Sequence, residues 1–257
     1  MSAPVTCVIE AGVATITLDR PDAKNRLDAE SMALLLEHLR STAGDPTVRV
    51  VVLTGSGTTF CSGADLAGAV AATSGGFASG GTSGLVDVLV AMLDHPKPII
   101  GRVQGHVAGG GNGLVAACDL AIASEDARFA FTEVRVGVAP AIISVVCLQV
   151  MHRRDAQELL LTGERVSAHR VLSAGLVTQV VEPEALDAAV AAYLDQLVQG
   201  GPEAIARTKE LLRRVPAMSR DDAFAWTADV SAGLFTSSEA REGMTAFLEK
   251  RKPEWAP

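Results

Sequence analysis

Apolar and polar positions repeat with different periods along this chain, and the periods divide it into elements. TCVIEAGVATITLD (6–19) holds two β-rich runs broken at Ala11-Gly12, the pattern of a hairpin. In AESMALLLEHL (29–39), Met32, Leu35, Leu36 and Leu39 recur at helical spacing behind Asp28, a suitable N-cap. VRVVVLTG (48–55) is short, β-branched and apolar at successive positions, as expected of a strand buried on both faces. AGAVAATSGGFASGGTSG (67–84) is too small and polar to predict a fixed element and is expected to form a mobile flap. An amphipathic helix follows in GLVDVLVAMLDH, then strands in PIIGRVQG, LAIAS and ARFAFTEVRVGV, then short helices in DAQELLLTG and HRVLSAGLV. From Ala185 every segment has helical period, and Ser238 is the expected cap of the last one. Strands alternating with helices up to residue 184 predict an α/β part, and 185–257 a helical region.

One stretch departs from these patterns. HVAGGGNGLVAACD (106–119) places glycine at 109, 110, 111 and 113 immediately before an apolar run. Glycine in a regular element costs roughly 0.5–1 kcal/mol relative to alanine, so bare backbone must be needed here. A dinucleotide fingerprint, G-N-G-L-V-A, fits the letters, but LAIAS starts too soon afterwards to leave room for a crossover helix. A P-loop lysine and a G-x-S-x-G elbow are both missing. Two readings stay open: close packing of a helix, or a helix start whose free N–H groups hold an oxyanion. The second needs another donor loop, and TTFCSGADL (58–66) supplies a glycine-flanked one just after the buried strand.

Composition narrows the function classes. A net charge of −8 and a pI near 5.1 argue against a nucleic-acid footprint. No apolar run is long enough for a membrane span. Cys7, Cys61, Cys118 and Cys147 lack disulfide or metal spacing, and the histidines form no H-x-x-x-H pair, so the expectation is a cytoplasmic protein without a metal site.

FCSGADL (60–66), HVAGGGNGLVAACDLAIAS (106–124), ARFAFTEVRVGVAPA (127–141) and the tail SSEAREGMTAFLEKRKPEW together resemble the enoyl-CoA hydratase/isomerase family, the crotonase superfamily, from about Val8 to Trp255. The resemblance implies a spiral of β-β-α turns with a C-terminal helical trimerisation region, assembling as a homotrimer or hexamer. It implies an acyl-CoA thioester substrate whose enolate is held by the backbone N–H groups of Ala64 and Gly110, with no cofactor beyond the CoA of the substrate. Glu133 takes the place of a family acid, whereas the other acid position is occupied by Gly113. Read as a residue alone, Glu133 is rather a surface carboxylate paired with Arg135 on one strand face, since such strand-edge pairs are common.

The resemblance further implies that Lys24 and Arg26 meet CoA phosphates, against the plainer reading of a solvated turn. Cys61, Ser62, Asp65 and Leu66 would line the nucleotide and pantetheine path beside Gly109 and Gly113, with Asp65 bracing the loop. Phe247 and Lys250 would reach the nucleotide from a neighbouring subunit, or simply pack and solvate the last helix. Val134, Val136, Ile142 and Ile143 are candidates for the acyl wall, Cys118 and Trp226 for the core, and His106 for an ordinary loop residue. A single carboxylate suits a double-bond isomerase, which takes a proton from C2 and returns it to C4. It suits a hydratase if Asn112, a backbone group or a water fixes the nucleophile. The expected activity is 2-enoyl-CoA hydration, with Δ3-Δ2-enoyl-CoA isomerisation second and a non-catalytic acyl-CoA-binding protein third.

Overall fold

The computed structural model describes residues 3–64 and 81–256, with the side chains of 81–83 excepted. Asp65, Leu66 and residues 67–80 of the flap expected over 67–84 lie outside the described residues. Of that flap, Gly81 to Gly84 are the first turn of a helix, α2 (Gly81–Leu93).

The first strands form the expected hairpin, β1 (Val5–Glu10) against β2 (Val13–Leu18), with Ala11 and Gly12 both at positive φ in the turn. Asp28 caps α1 (Ala29–Gly44) by accepting from Ser31 N at 2.9 Å. Three β-β-α turns then follow. Each begins with a strand of a large sheet, β3 (Val50–Gly55), β5 (Ile99–Val103) and β7 (Leu120–Ser124). Each continues into a strand of a small sheet, β4 (Thr59–Cys61), β6 (His106–Ala108) and β8 (Arg128–Ala130). The helices that close the turns are α2, α3 (Gly110–Ala117) and α4 (Ala141–Val150). Because each turn repeats the same path, both sets of strands run parallel: β3–β5–β7 in one sheet and β4–β6–β8 in the other.

After α5 (Arg153–Thr162), β9 (Arg165–Ser167) joins the small sheet antiparallel to β8. After α6 (Ala168–Ser173), β10 (Gln179–Val181) closes the large sheet beside β7, giving the order β1-β2-β3-β5-β7-β10. The helical region comprises α7 (Leu186–Leu197), α8 (Pro202–Arg214), α9 (Arg220–Phe235) and α10 (Ser238–Glu249).

The apolar run of β3 has the reason expected for it. Val51 and Leu53 point into the main core with α1 and α2, while Val50 and Val52 meet Leu186 and Val190 of α7 on the opposite face. Strand alternation thus buries consecutive valines against two different partners.

Three sequence readings need correction. ARFAFTEVRVGV is not one strand: β8 ends at Ala130, and Thr132–Val136 winds into a short 3₁₀ helix ended by Gly137 at φ 80°. Pleated alternation does not reach Glu133, because buried Phe131 anchors the chain as it leaves the sheet. Ser237, not Ser238, caps α10, accepting from Ala240 N at 3.0 Å. Trp226 is half-buried rather than core, with the Arg214 guanidinium 4.2 Å from its ring centroid. Among the described residues no helix is long and apolar enough to cross a membrane.

Candidate active site

The two glycine loops meet. Gly63 and Gly109 take positive φ values of 86° and 51°, which side-chain-bearing residues rarely adopt. A β-carbon at Gly63 would stand 2.8 Å from Ala108 O and 3.1 Å from Gly110 N. The backbone that carries Ala64 therefore lies directly against the start of α3, which explains the missing side chains in both stretches. Gly110 is the first residue of α3, so its N–H has no partner within the helix. Ala64 bridges Leu27, and that bridge uses the Gly63 carbonyl, which accepts from Leu27 N at 2.8 Å. Since successive groups of an extended chain alternate in direction, the Ala64 N–H faces away from Leu27.

A third segment braces this junction. Lys24 O accepts from Ser62 N at 3.1 Å, and the buried Asn25 side chain donates to Ser56 O and Thr59 O at 2.9 and 2.6 Å. Lys24 is exposed, and the Arg26 side chain lies 3.9 Å from the Asp28 carboxylate. Lys24, Ser62 and Ala64 are thus brought together. Phe247 is on α10 and Lys250 is its left-handed C-cap; α10 packs on α9 and caps α8 through the Glu239 carboxylate on Glu203 N and Ala204 N. Phe247 is 82% exposed in the single chain.

Glu133 lies on the other side of the glycine turn. A β-carbon built on Gly109 would stand 3.5 Å from Glu133 Oε1. Among the described residues Oε2 is buried without a hydrogen-bond partner. Desolvation pushes the carboxyl above the usual carboxylate range, partly offset by a backbone hydrogen bond at the residue itself. The surface pair with Arg135 does not form: Arg135 is exposed and donates to Thr162 O at 3.1 Å. A half-buried acid with one free oxygen, beside the turn that leads into the Gly110 N–H, is equipped to move a proton beside a polarised carbonyl.

Three features were not legible in the sequence. The position of the absent acid is filled: a β-carbon on Gly113 would meet Ile143 Cγ2 at 2.6 Å and Ile143 Cβ at 3.1 Å. Gly113 is itself buried, and Ile143, which packs against it, is buried too, so Gly113 offers the site no surface of its own. Asn112 is 0% exposed and its amide nitrogen is engaged, donating to Ala130 O at 2.8 Å. Cys147 lies under this region, its thiol donating to Asn112 O at 3.9 Å. Burial, reinforced by the Glu133 charge, pushes the Cys147 thiol up to about 12, and burial pushes Cys61 up to about 12, so neither is a thiolate nucleophile at neutral pH. Only the β-branched pair Ile142-Ile143 and an amide among glycines hinted at these contacts.

The spiral and its paired glycine loops define the crotonase fold. An enoyl-CoA hydratase structure from Mycobacterium smegmatis superposes with a TM-score of 0.93 at 38% identity, over 99% of each chain. The model of the enoyl-CoA hydratase/isomerase family matches residues 8–257, and the chain belongs to that family. It is 34% identical to the (E)-benzylidenesuccinyl-CoA hydratase of Thauera aromatica, over 97% of this chain and 98% of that one. It is 36% identical to the carnitinyl-CoA dehydratase of Salmonella arizonae, over 93% of each.

Proposed function

We propose that the protein adds water across the double bond of a 2-enoyl-CoA, with Glu133 as its single acid–base. The observation that carries this reading is the Glu133 carboxyl, half-buried beside the Gly109 turn with Oε2 unpartnered. Ala64 N and Gly110 N hold the thioester oxygen. Glu133 takes a proton from water as the water oxygen bonds to C3; the electron pair moves to the thioester oxygen as an enolate. The proton then passes from Glu133 to C2, giving a 3-hydroxyacyl-CoA with all atoms accounted for. Because charge develops on that oxygen only as the bond forms, the two donors stabilise the transition state more than the ground state. The water chemistry named for the Thauera and Salmonella relatives supports this choice.

One observation favours a second reading, Δ3-Δ2-enoyl-CoA isomerisation. Ile143 fills the space beside Gly113, leaving Glu133 as the one carboxylate of the site among the described residues, which is all that a C2-to-C4 proton transfer needs. In either case CoA arrives with the substrate and no resident cofactor or metal is proposed. Lys24 and Arg26 are assigned to the CoA phosphates and Cys61 and Ser62 to its path. Phe247 and Lys250 are assigned to the nucleotide across a subunit contact. Exposed Leu212, Phe224, Phe235 and Phe247 on the C-terminal helices support a homotrimer or hexamer that covers them.

The test compares wild type with Glu133→Gln on 2-enoyl-CoA and 3-enoyl-CoA, by thioester absorbance and product mass. Gain of a water by wild type and a loss of roughly 10²–10⁴-fold in the variant support the hydratase. Conversion without mass change establishes the isomerase. Binding of both substrates without turnover would make the protein a non-catalytic acyl-CoA binder.

A further inference from the structure

Asn112 is an odd residue for its place. It sits in the first turn of α3 with no exposed surface. A leucine would fill similar space without burying polar atoms. The amide bonds through one end only: Nδ2 donates to Ala130 O at 2.8 Å, and among the described residues Oδ1 is buried without a partner. An orphaned acceptor costs its desolvation and returns nothing, so the donor end must account for the residue. Its orientation is set, since a flipped amide would press Oδ1 against the Ala130 carbonyl.

That carbonyl has a second caller. Gly109 N also donates to Ala130 O, at 3.2 Å. One oxygen therefore gathers two N–H groups from the turn that opens α3. Ala130 is the last residue of β8, three residues before Glu133, with buried Phe131 between them. The same clasp thus holds the chain bearing Gly110 N to the chain bearing the Glu133 carboxyl. Gly109 N alone would leave the turn a single hinge point; Asn112 adds a second, one helical turn further in.

We infer that Asn112 is a positioning residue, which through Ala130 O fixes the Glu133 carboxyl relative to the N–H donor of Gly110. This inference rests on the proposed role of Glu133. With the clasp intact, Glu133 is held against the Gly109 turn; without it, the 3₁₀ segment drifts outward and the carboxyl gains water. Among the described residues, the titratable and charged groups noted around Glu133 are Cys147 from α4 and Arg135 on its own segment, turned away to Thr162 O.

The experiment uses the full chain with Asn112→Leu, matched in size but without a donor, and Asn112→Asp, matched in shape, for the case in which the leucine variant does not fold. Steady-state kinetics on 2-enoyl-CoA and 3-enoyl-CoA is combined with titration of the Glu133 carboxyl by infrared difference against Glu133→Gln, which needs no turnover. The expected result in the folded variant is a kcat at least tenfold lower with KM within about twofold, because orientation rather than binding is lost. The Glu133 titration should move, downward in Asn112→Leu as the carboxyl gains solvent. Loss of stability with kcat and the Glu133 titration unchanged would overturn the inference, as would an equal fall in both kcat and substrate binding. A shifted titration in a protein whose wild type turns over neither substrate leaves the clasp standing and overturns the reaction instead.

Discussion

The pairing of Gly113 with Ile143 makes a sharp prediction about a change that is usually harmless. Gly113 is the fourth residue of α3, with ordinary helical backbone, so Gly113→Ala should by propensity stabilise the helix by roughly 0.5–1 kcal/mol. The new β-carbon, however, would lie 2.6 Å from Ile143 Cγ2 and 3.1 Å from Ile143 Cβ. The obstructing atoms belong to a β-branched side chain on a helix, 2% exposed, which has little freedom to turn aside. Overpacking of this kind costs about 1–3 kcal/mol, so the net effect should be a loss of about 1–2 kcal/mol. Ile143→Ala alone should cost about 2–4 kcal/mol through the cavity it leaves. In that background the 2.6 Å contact with Cγ2 is gone and only the milder 3.1 Å approach to the retained Cβ remains, so Gly113→Ala should be close to neutral or stabilising by less than about 1 kcal/mol. The double-mutant cycle would then show a coupling of about 2 kcal/mol, favourable to the pair of changes. Urea denaturation at one fixed protomer concentration reads all four proteins, which keeps any subunit contribution constant. A neutral or stabilising Gly113→Ala with Ile143 in place, or two changes that simply add, would refute the clash.

Other outcomes follow from the same structure. Gly113→Glu should yield folded protein only alongside Ile143→Ala, measurable by the fraction that refolds to native circular dichroism. If Glu133 works as a base, activity should rise with pH through an apparent pKa above the usual carboxylate range, since burial favours the protonated form that cannot accept; a kcat profile checks this. His95 is 3% exposed, and burial, opposed by its Lys97 backbone bond and reinforced by Lys209 and Lys97, pushes its pKa down to about 4. An unfolded histidine titrates near 6.5, so below that pH the unfolded chain takes up the proton first. Stability should therefore fall from about pH 6.5 to about pH 4 by roughly 3 kcal/mol from this group, and His95→Gln should flatten that part of the urea-midpoint curve. Asp28→Ala should cost about 1–2 kcal/mol by removing the cap on Ser31 N, and with it the 2.6 Å ion pair to Arg20.

Much of the molecule was legible in one dimension because local rules govern it. The turn at Ala11-Gly12, the Asp28 cap, the doubly buried valines of β3 and the helical tail all follow from periodicity and capping chemistry that depend on near neighbours. So did the need for bare backbone at the glycine run, since four glycines before an apolar helix have no local reason to be there. What the order of residues could not express is which segment lies against which. Alternation along ARFAFTEVRVGV favours a strand, but packing of Phe131 ends it and turns Glu133 from a surface pair with Arg135 towards the Gly109 turn. Gly113 reads as a missing acid; only the approach of α4 shows that Ile143 already fills that space. Asn112 reads as a polar group free to hold a water, until the end of β8 arrives and its carbonyl takes the amide. In each case the deciding partner is some twenty or thirty positions away, and its distance is set by how successive turns of the spiral stack, a property of the packed chain rather than of any segment in it.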